Sequence, residues 1–240
     1  MSLHEASQLL LLFGKIGTAI MAIPLIVSII RWKYMKEWPL KWLFYYFLWL
    51  VILNIFSISF VDIATKYYSV VGPYLIKLNI YNTFFLEPLF YLVDIICIGF
   101  FCAGIHPNIK TAQTIKKVVW ALVFFTVLNT VFGEGYENFQ IVGSLAVKGF
   151  LLFMAIIILR KVFNSNFNRA VYSIPYFWIA VSLIIGVCGA GLIDSLSNSM
   201  YSDSEVVFYQ AHVAVDIFYD ISYLCMARGV WLIPWHGKLK

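Results

Sequence analysis

The chain has 240 residues, of which 62% are hydrophobic, 18% aromatic and only 12% charged, and its mean hydropathy is +0.86. Soluble domains carry about 25% charged residues, so this composition excludes a soluble globular protein and indicates a polytopic membrane protein. The net charge of +5 does not indicate a nucleic-acid partner, because most of it lies in short loops between apolar segments.

The apolar segments are long enough to cross a bilayer. A helix needs about 20 apolar residues to do so, and lipid cannot satisfy exposed backbone N–H and C=O groups. The loops are short and no Ser-, Gly- or Pro-rich linker divides the chain, which predicts an all-α fold with a single transmembrane domain over residues 1–240. The seven predicted spans are Leu9 to Ile30, Trp42 to Ile63, Leu78 to Ile105, Val118 to Phe132, Phe139 to Leu159, Tyr172 to Asp194 and Val206 to Ala227.

The distribution of lysine and arginine predicts the orientation, because short basic loops stay in the cytoplasm. One side of the membrane carries only Lys66 and Lys77 between its spans. The other side is predicted to be cytoplasmic and carries Arg31, Lys33, Lys36, Lys41, Lys110, Lys116, Lys117, Arg160, Lys161, Arg169, Arg228, Lys238 and Lys240. The chain is therefore expected to be a multi-pass protein of the cell inner (cytoplasmic) membrane, with its N-terminus outside and its C-terminus inside.

Short matches relate the two halves of the chain. A lysine precedes Met-Ala-Ile by the same spacing in spans one and five, and Val-Asp-Ile occurs in spans three and seven. The matched ionisable residues are Lys15 with Lys148, Asp62 with Asp194, and Asp94 with Asp216. The matches suggest a 3+1+3 pseudo-repeat, in which a linker helix joins two units of three helices. Chance similarity in a biased composition is the alternative interpretation.

Ionisable residues within the spans are the candidate functional residues, because a charge at the bilayer centre costs ~2.5 to 3.5 kcal/mol. They recur every fourth residue in span seven and at a spacing of seven in span three, so each set lies on one helix face. The candidates for ligand or proton binding are Lys15, Glu87, Tyr91, Asp94, Lys148, His212, Asp216 and Asp220. They are predicted to form a buried polar cluster in the outer half of the bilayer.

The cluster has two interpretations. In the structural one, Lys15 and Lys148 neutralise acids and fix helix positions. In the functional one, the cluster lines a water-accessible cavity, where Glu87 and Asp216 bind a ligand or relay protons and His212 switches its charge. A third arrangement has Lys15 extending outward to the membrane surface.

Span six is expected to contribute close helix packing to the bundle rather than a charged group to the cluster. Its small residues Gly186, Gly189, Ala190 and Gly191 allow a neighbouring backbone to approach closely. In span three, Pro88 is expected to loosen the helical hydrogen bonding near Glu87.

Several stretches carry a family resemblance. Pro175-Tyr176-Phe177-Trp178, a glycine-bearing stretch, a span containing His212 and a terminal Arg228-Gly229-Val230-Trp231 resemble a group of uncharacterised bacterial seven-helix integral membrane proteins, as does Asn79 through Glu87. The resemblance implies a seven-helix architecture over most of the chain. It implies no activity.

Known chemistries of seven-helix proteins can be compared with the sequence. Span seven has no lysine to hold retinal, and His212 is the only histidine placed deep in a span, so neither a three-histidine zinc site nor a bis-histidine haem is predicted. No cofactor or metal is expected. No catalytic residues are assigned, because GxSxG, Walker and GxGxxG motifs are absent.

Two functional interpretations follow. The first is an integral membrane sensor or receptor-like protein that binds a small ligand or proton and signals through a separate cytoplasmic protein. The second is a small proton-coupled transporter or channel-like carrier, since acids at successive depths suit a relay. A lipid-modifying membrane enzyme is the least favoured alternative. The expected partners are membrane lipids and the small ligand or proton, and the oligomeric state is not indicated.

Overall fold

The computed structural model describes residues 2–80, 82–137, 139–164 and 170–233. These residues are 89% helical and include no strand, which confirms the all-α prediction. Arg169, Lys238 and Lys240, which contribute to the predicted orientation, lie outside the described residues. The helices are α1 (Leu3–Ile30), α2 (Trp32–Met35), α3 (Lys41–Lys66), α4 (Tyr68–Lys77), α5 (Glu87–Val93), α6 (Gly99–Ile105), α7 (Ile109–Leu128), α8 (Ile141–Asn164), α9 (Pro175–Asp203) and α10 (Glu205–Leu232).

Several helices are long and apolar enough to cross a membrane. Among the described residues, five segments meet this description, and α9 adds a sixth if its two parts, bent by 41° between Gly191 and Leu196, form one span. In the most apolar stretch of α1 only 11% of the residues are buried inside the protein. Apolar side chains exposed to this extent indicate a membrane protein. The five segments are Glu5–Ile30, Lys41–Lys66, Phe84–Ile105, Ile109–Gly133 and Ile141–Asn164.

The helix boundaries differ from the predicted spans in several places. Helix α7 begins at Ile109 rather than Val118, and α9 ends at Asp203 rather than Asp194. The third segment was expected to begin at Leu78, but its helix begins at Phe84, after a turn in which Asn79 has a positive φ of 53°. Asparagine tolerates this left-handed conformation better than most residues. The loop before it contains the short helix α4, which the hydropathy pattern did not predict.

The Phe84–Ile105 helix is irregular. It begins with a 3₁₀ turn at Phe84–Leu86, continues as α5, widens into a π-helical turn at Asp94–Ile98 and ends as α6. Pro88 lies in the first turn of α5, where proline is tolerated, and not in a helix interior as expected. π turns occur frequently at functional sites, and this one begins at a candidate carboxylate.

The long helices are neighbours in a ring. Helix α1 packs against α3 and α10, α10 packs against α9, and α9 packs against α8. The Phe84–Ile105 helix closes the ring by packing against both α3 and α8, and α7 packs mainly against this same helix. Helices α1 and α10 both begin at the same end of the bundle, and we call this end the rim end.

The opposite end of the ring is filled by apolar side chains. Phe47, Phe101, Ile158, Ile179 and Met226 come from five different helices and are at most 1% exposed. They belong to one continuous hydrophobic cluster. We call these five residues the apolar plug.

Candidate functional site

A cavity of about 500 Å³ lies inside the ring. Its lining comes from α1, α3, the Phe84–Ile105 helix, α8, α9 and α10. Along α10 it extends from Phe208 to Tyr223, which is about 22 Å at 1.5 Å per residue. Ligand pockets usually measure about 300 to 1,000 Å³, so the space suits a small organic molecule.

The Phe84–Ile105 helix contributes Glu87, Tyr91 and Asp94 to the lining. Glu87 accepts two hydrogen bonds on Oε2, one from the Tyr91 hydroxyl at 3.2 Å and one from the backbone N–H of Gln140 at 3.2 Å. Asp94 lies beside the hydroxyl of Tyr46 on α3. Glu87 is therefore fixed near the start of α8, and Asp94 lies deeper, at the π turn.

An ion pair crosses the cavity wall between α8 and α9. The ammonium group of Lys148 contacts the carboxylate of Asp194, and each side chain is 10% exposed. The Ser144 hydroxyl donates a hydrogen bond to Oδ2 of Asp194 over 2.9 Å. A buried pair needs such supporting hydrogen bonds to offset the cost of removing two charges from water.

Helix α10 presents His212, Asp216 and Asp220 to the cavity, because residues four apart share a helix face. The Nε2 atom of His212 lies 3.3 Å from the Ser197 hydroxyl, and the His212 ring lies against Phe208 with centroids 4.3 Å apart. Within the described residues, no lysine, arginine or histidine forms an ion pair with Asp216 or Asp220. These two carboxylates thus enter the cavity without a basic partner.

Tyrosines that were not predicted as site residues form much of the deep end of the cavity. Tyr46, Tyr219 and Tyr223 all line it, and the rings of Tyr219 and Tyr223 stack with centroids 6.4 Å apart. Tyr219 and Tyr223 are four residues apart on α10, as are Asp216 and Asp220. This shared spacing of four residues was a feature of the sequence from which the two tyrosines could have been predicted to line the site.

The structure brings together all the candidates except Lys15. Lys15 is exposed and lies with Asp62 in a separate groove between α1 and α3, so its predicted place in the buried cluster is not found. Helix rotation explains the difference. Gly14 and Gly17 of α1 line the cavity, and Lys15 lies between them on another face of the helix.

Span six supplies charge as well as shape, contrary to expectation. Asp194 of α9 is the partner of Lys148. The predicted close approach is present too, because a Cβ atom added at Gly189 would lie 2.2 Å from Cγ of Phe218 on α10. At Gly191, by contrast, an added Cβ would meet open space.

The connection before α8 organises the rim end. Glu134 accepts hydrogen bonds from the backbone N–H groups of Val142 at 2.8 Å and Gly143 at 3.1 Å, which caps the start of α8. Its Oε2 atom also accepts a 2.7 Å bond from the Asn129 amide. The start of α8, and with it the position of Lys148 two turns later, is therefore fixed.

Within the described residues, no group of three or more His, Cys, Asp or Glu side chains is arranged to hold a metal ion. Comparison of the chain with protein-family models, with curated proteins and with solved structures finds no match.

Proposed function

We propose that this protein is a seven-span receptor of the cytoplasmic membrane, which binds a small ligand in its cavity and signals through a separate cytoplasmic protein. The observation that carries the proposal is the form of the cavity. It has the volume of a ligand pocket and a lining of convergent polar groups, and the apolar plug fills the opposite end of the bundle. A blind pocket favours binding over passage through the membrane.

Helix α10 is the proposed seventh span. Its 28 residues extend about 42 Å, more than the bilayer thickness of about 30 Å. Its carboxylates and histidine lower its hydropathy, but these residues face the cavity. The face away from the cavity exposes the apolar side chains Ile217, Ile221 and Leu224, which suits contact with lipid.

The proposed orientation places the rim end outside the cell and the basic loops in the cytoplasm. A ligand would then reach the cavity from outside. Helix α10 lines the cavity near one end, and near its other end the ring of Trp231 lies 4.3 Å from the guanidinium of Arg31. A shift of α10 on ligand binding would therefore reach the basic loops, where a signalling protein could bind.

Retention of small molecules by the purified protein tests the proposal. The protein in lipid nanodiscs is incubated with the small-molecule fraction of a cell extract, and retained compounds are identified by mass spectrometry. We expect the wild type to retain at least one compound, and the double variant Glu87→Gln/Asp216→Asn to lose it, because both residues line the cavity.

The matched control is Glu37→Gln/Asp62→Asn, which makes the same two chemical changes at exposed positions and should retain the compound. Thermal unfolding of each variant separates lost binding from lost folding. Failure of the wild type to retain any compound, or equal retention by the cavity variant, would contradict the proposal.

A carrier is the second candidate function, supported by the arrangement of helices and acids. In a 3+1+3 repeat, α1, α3 and the Phe84–Ile105 helix would correspond to α8, α9 and α10. Each pair of helices that pack together in the ring then has a corresponding pair under the repeat. The acids Glu87 and Asp94, with Asp216 and Asp220, would form a proton path at successive depths. Transport would require the apolar plug to open.

Flux distinguishes the two functions. Proteoliposomes are supplied with the compound retained in the previous experiment, and its uptake is followed with and without a proton gradient. The receptor predicts binding with no uptake above that of empty liposomes. Uptake that disappears in Asp94→Asn and Asp220→Asn, but persists in Asp62→Asn, would instead establish the carrier.

A further inference from the structure

We infer that the ligand is an organic cation with an amine or quaternary ammonium group, bound deep in the cavity between the carboxylates of Asp94, Asp216 and Asp220 and the rings of Tyr219 and Tyr223. This inference rests on the proposed function and adds the chemical class of the ligand.

The charges that line the cavity are mostly negative. Among the described residues, its lining contains five carboxylates and two basic side chains, Lys148 and His212. Lys148 already pairs with Asp194, and His212 lies against the hydroxyl of Ser197. The acidic surplus lies in the deeper part, and it favours a positively charged ligand.

Asp220 is the carboxylate that most clearly lacks a positively charged partner. It is 9% exposed, lines the cavity and makes no hydrogen bond or ion pair with any other described residue. A Cβ atom added at Gly17 would lie 3.2 Å from its Oδ1 atom, so the carboxylate faces α1 at a glycine. A carboxylate that lines a cavity without a basic partner attracts positive charge, and a bound ammonium group would supply it.

The aromatic rings around these acids suit the rest of such a ligand. Tyr219 and Tyr223 lie close enough to the carboxylates of Asp94 and Asp216 to interact with them electrostatically. Tyrosine rings attract cations over their faces, most strongly where water is excluded. Carboxylates next to stacked rings can thus hold the charge and the carbon substituents of one ligand.

Other positive ligands fit the cavity less well. The described residues offer no metal-binding group of three or more His, Cys, Asp or Glu side chains. Protons could neutralise the acids, but their binding needs neither the tyrosine rings nor a cavity of about 500 Å³. An organic cation satisfies both the charge and the volume.

Probes that share a shape but differ in charge test the inference. Phenethylammonium, 2-phenylethanol and 3-phenylpropionate form one set, and choline with its uncharged analogue 3,3-dimethylbutan-1-ol forms another. Binding to the wild type in nanodiscs is measured by calorimetry. We expect each ammonium probe to bind at least tenfold more tightly than its matched neutral or anionic probe.

Variants locate the site. Asp220→Asn should weaken binding of the ammonium probes at least tenfold, whereas Asp62→Asn, which removes the same charge from the groove outside the ring, should leave it unchanged. Asp216→Asn serves as a second cavity variant if Asp220→Asn does not fold, as judged by thermal unfolding.

The possible failures are distinguishable. If 3-phenylpropionate or a neutral probe binds as tightly as the ammonium probes, the inference is wrong and the proposed function stands. If no probe binds although the extract experiment yields a retained compound, the inference is again wrong and the receptor stands. If no probe binds and no compound is retained, both are wrong.

Discussion

Replacing Lys148 with methionine is expected to destabilise the protein by about 3 to 5 kcal/mol, because Asp194 is then left as a buried charge without a cation. Both side chains are 10% exposed, and the Ser144 hydroxyl is the only hydrogen-bond donor remaining to Asp194 among the described residues. The measurement is the free energy of unfolding in mixed micelles of a mild detergent and dodecyl sulfate.

The double variant Lys148→Met/Asp194→Asn should regain most of this loss, since neither partner then carries a charge. Lys15→Met is the matched control. Lys15 is exposed outside the ring, so we expect a change within about 0.5 kcal/mol. A double variant as unstable as the sum of the two single variants would show that the ion pair does not hold α8 and α9 together.

Gly189→Ala is expected to destabilise the protein by about 1 to 3 kcal/mol. The added methyl group would lie 2.2 Å from Cγ and 2.3 Å from Cβ of Phe218. Rotation of the Phe218 side chain does not move its own Cβ atom, so α9 and α10 must separate to relieve the clash. The same unfolding measurement reports the loss, and the shape of the cavity should change with it.

Gly149→Ala is the control for this prediction. Gly149 lies on α8, and a Cβ atom there meets nothing within 4 Å. Alanine also favours a helix over glycine by about 1 kcal/mol. We therefore expect Gly149→Ala to be neutral or stabilising. If Gly189→Ala behaved in the same way, the close approach of α9 and α10 would not contribute to stability.

The cluster was predicted to be either structural or functional, and the structure contains a feature of each kind. Lys148 and Asp194 form the direct pair expected of a structural element. Asp216 and Asp220 line a cavity without a basic partner among the described residues. Charge neutralisation therefore explains one part of the polar interior, and ligand binding is proposed for the other.

Predicting the partner of Lys148 required knowledge that the sequence does not contain. Its depth matched those of Glu87 and Asp216, and both were reasonable partners. The residue that contacts it is Asp194, whose only predicted relation was the match to Asp62 in the pseudo-repeat. Depth follows from counting residues along one helix, but the choice of partner depends on which helices are neighbours and how each is rotated.

The sequence by itself determined the membrane class, the approximate position of each long helix and the polar face of α10. These properties depend on hydropathy and on periodicity along a single helix, and both can be counted in one chain. Only the tertiary structure decided that Lys15 faces away from the cluster, that a π turn begins at Asp94 and that tyrosines form the deep end of the cavity. Those outcomes depend on packing between helices far apart in sequence, for which no single helix carries the information.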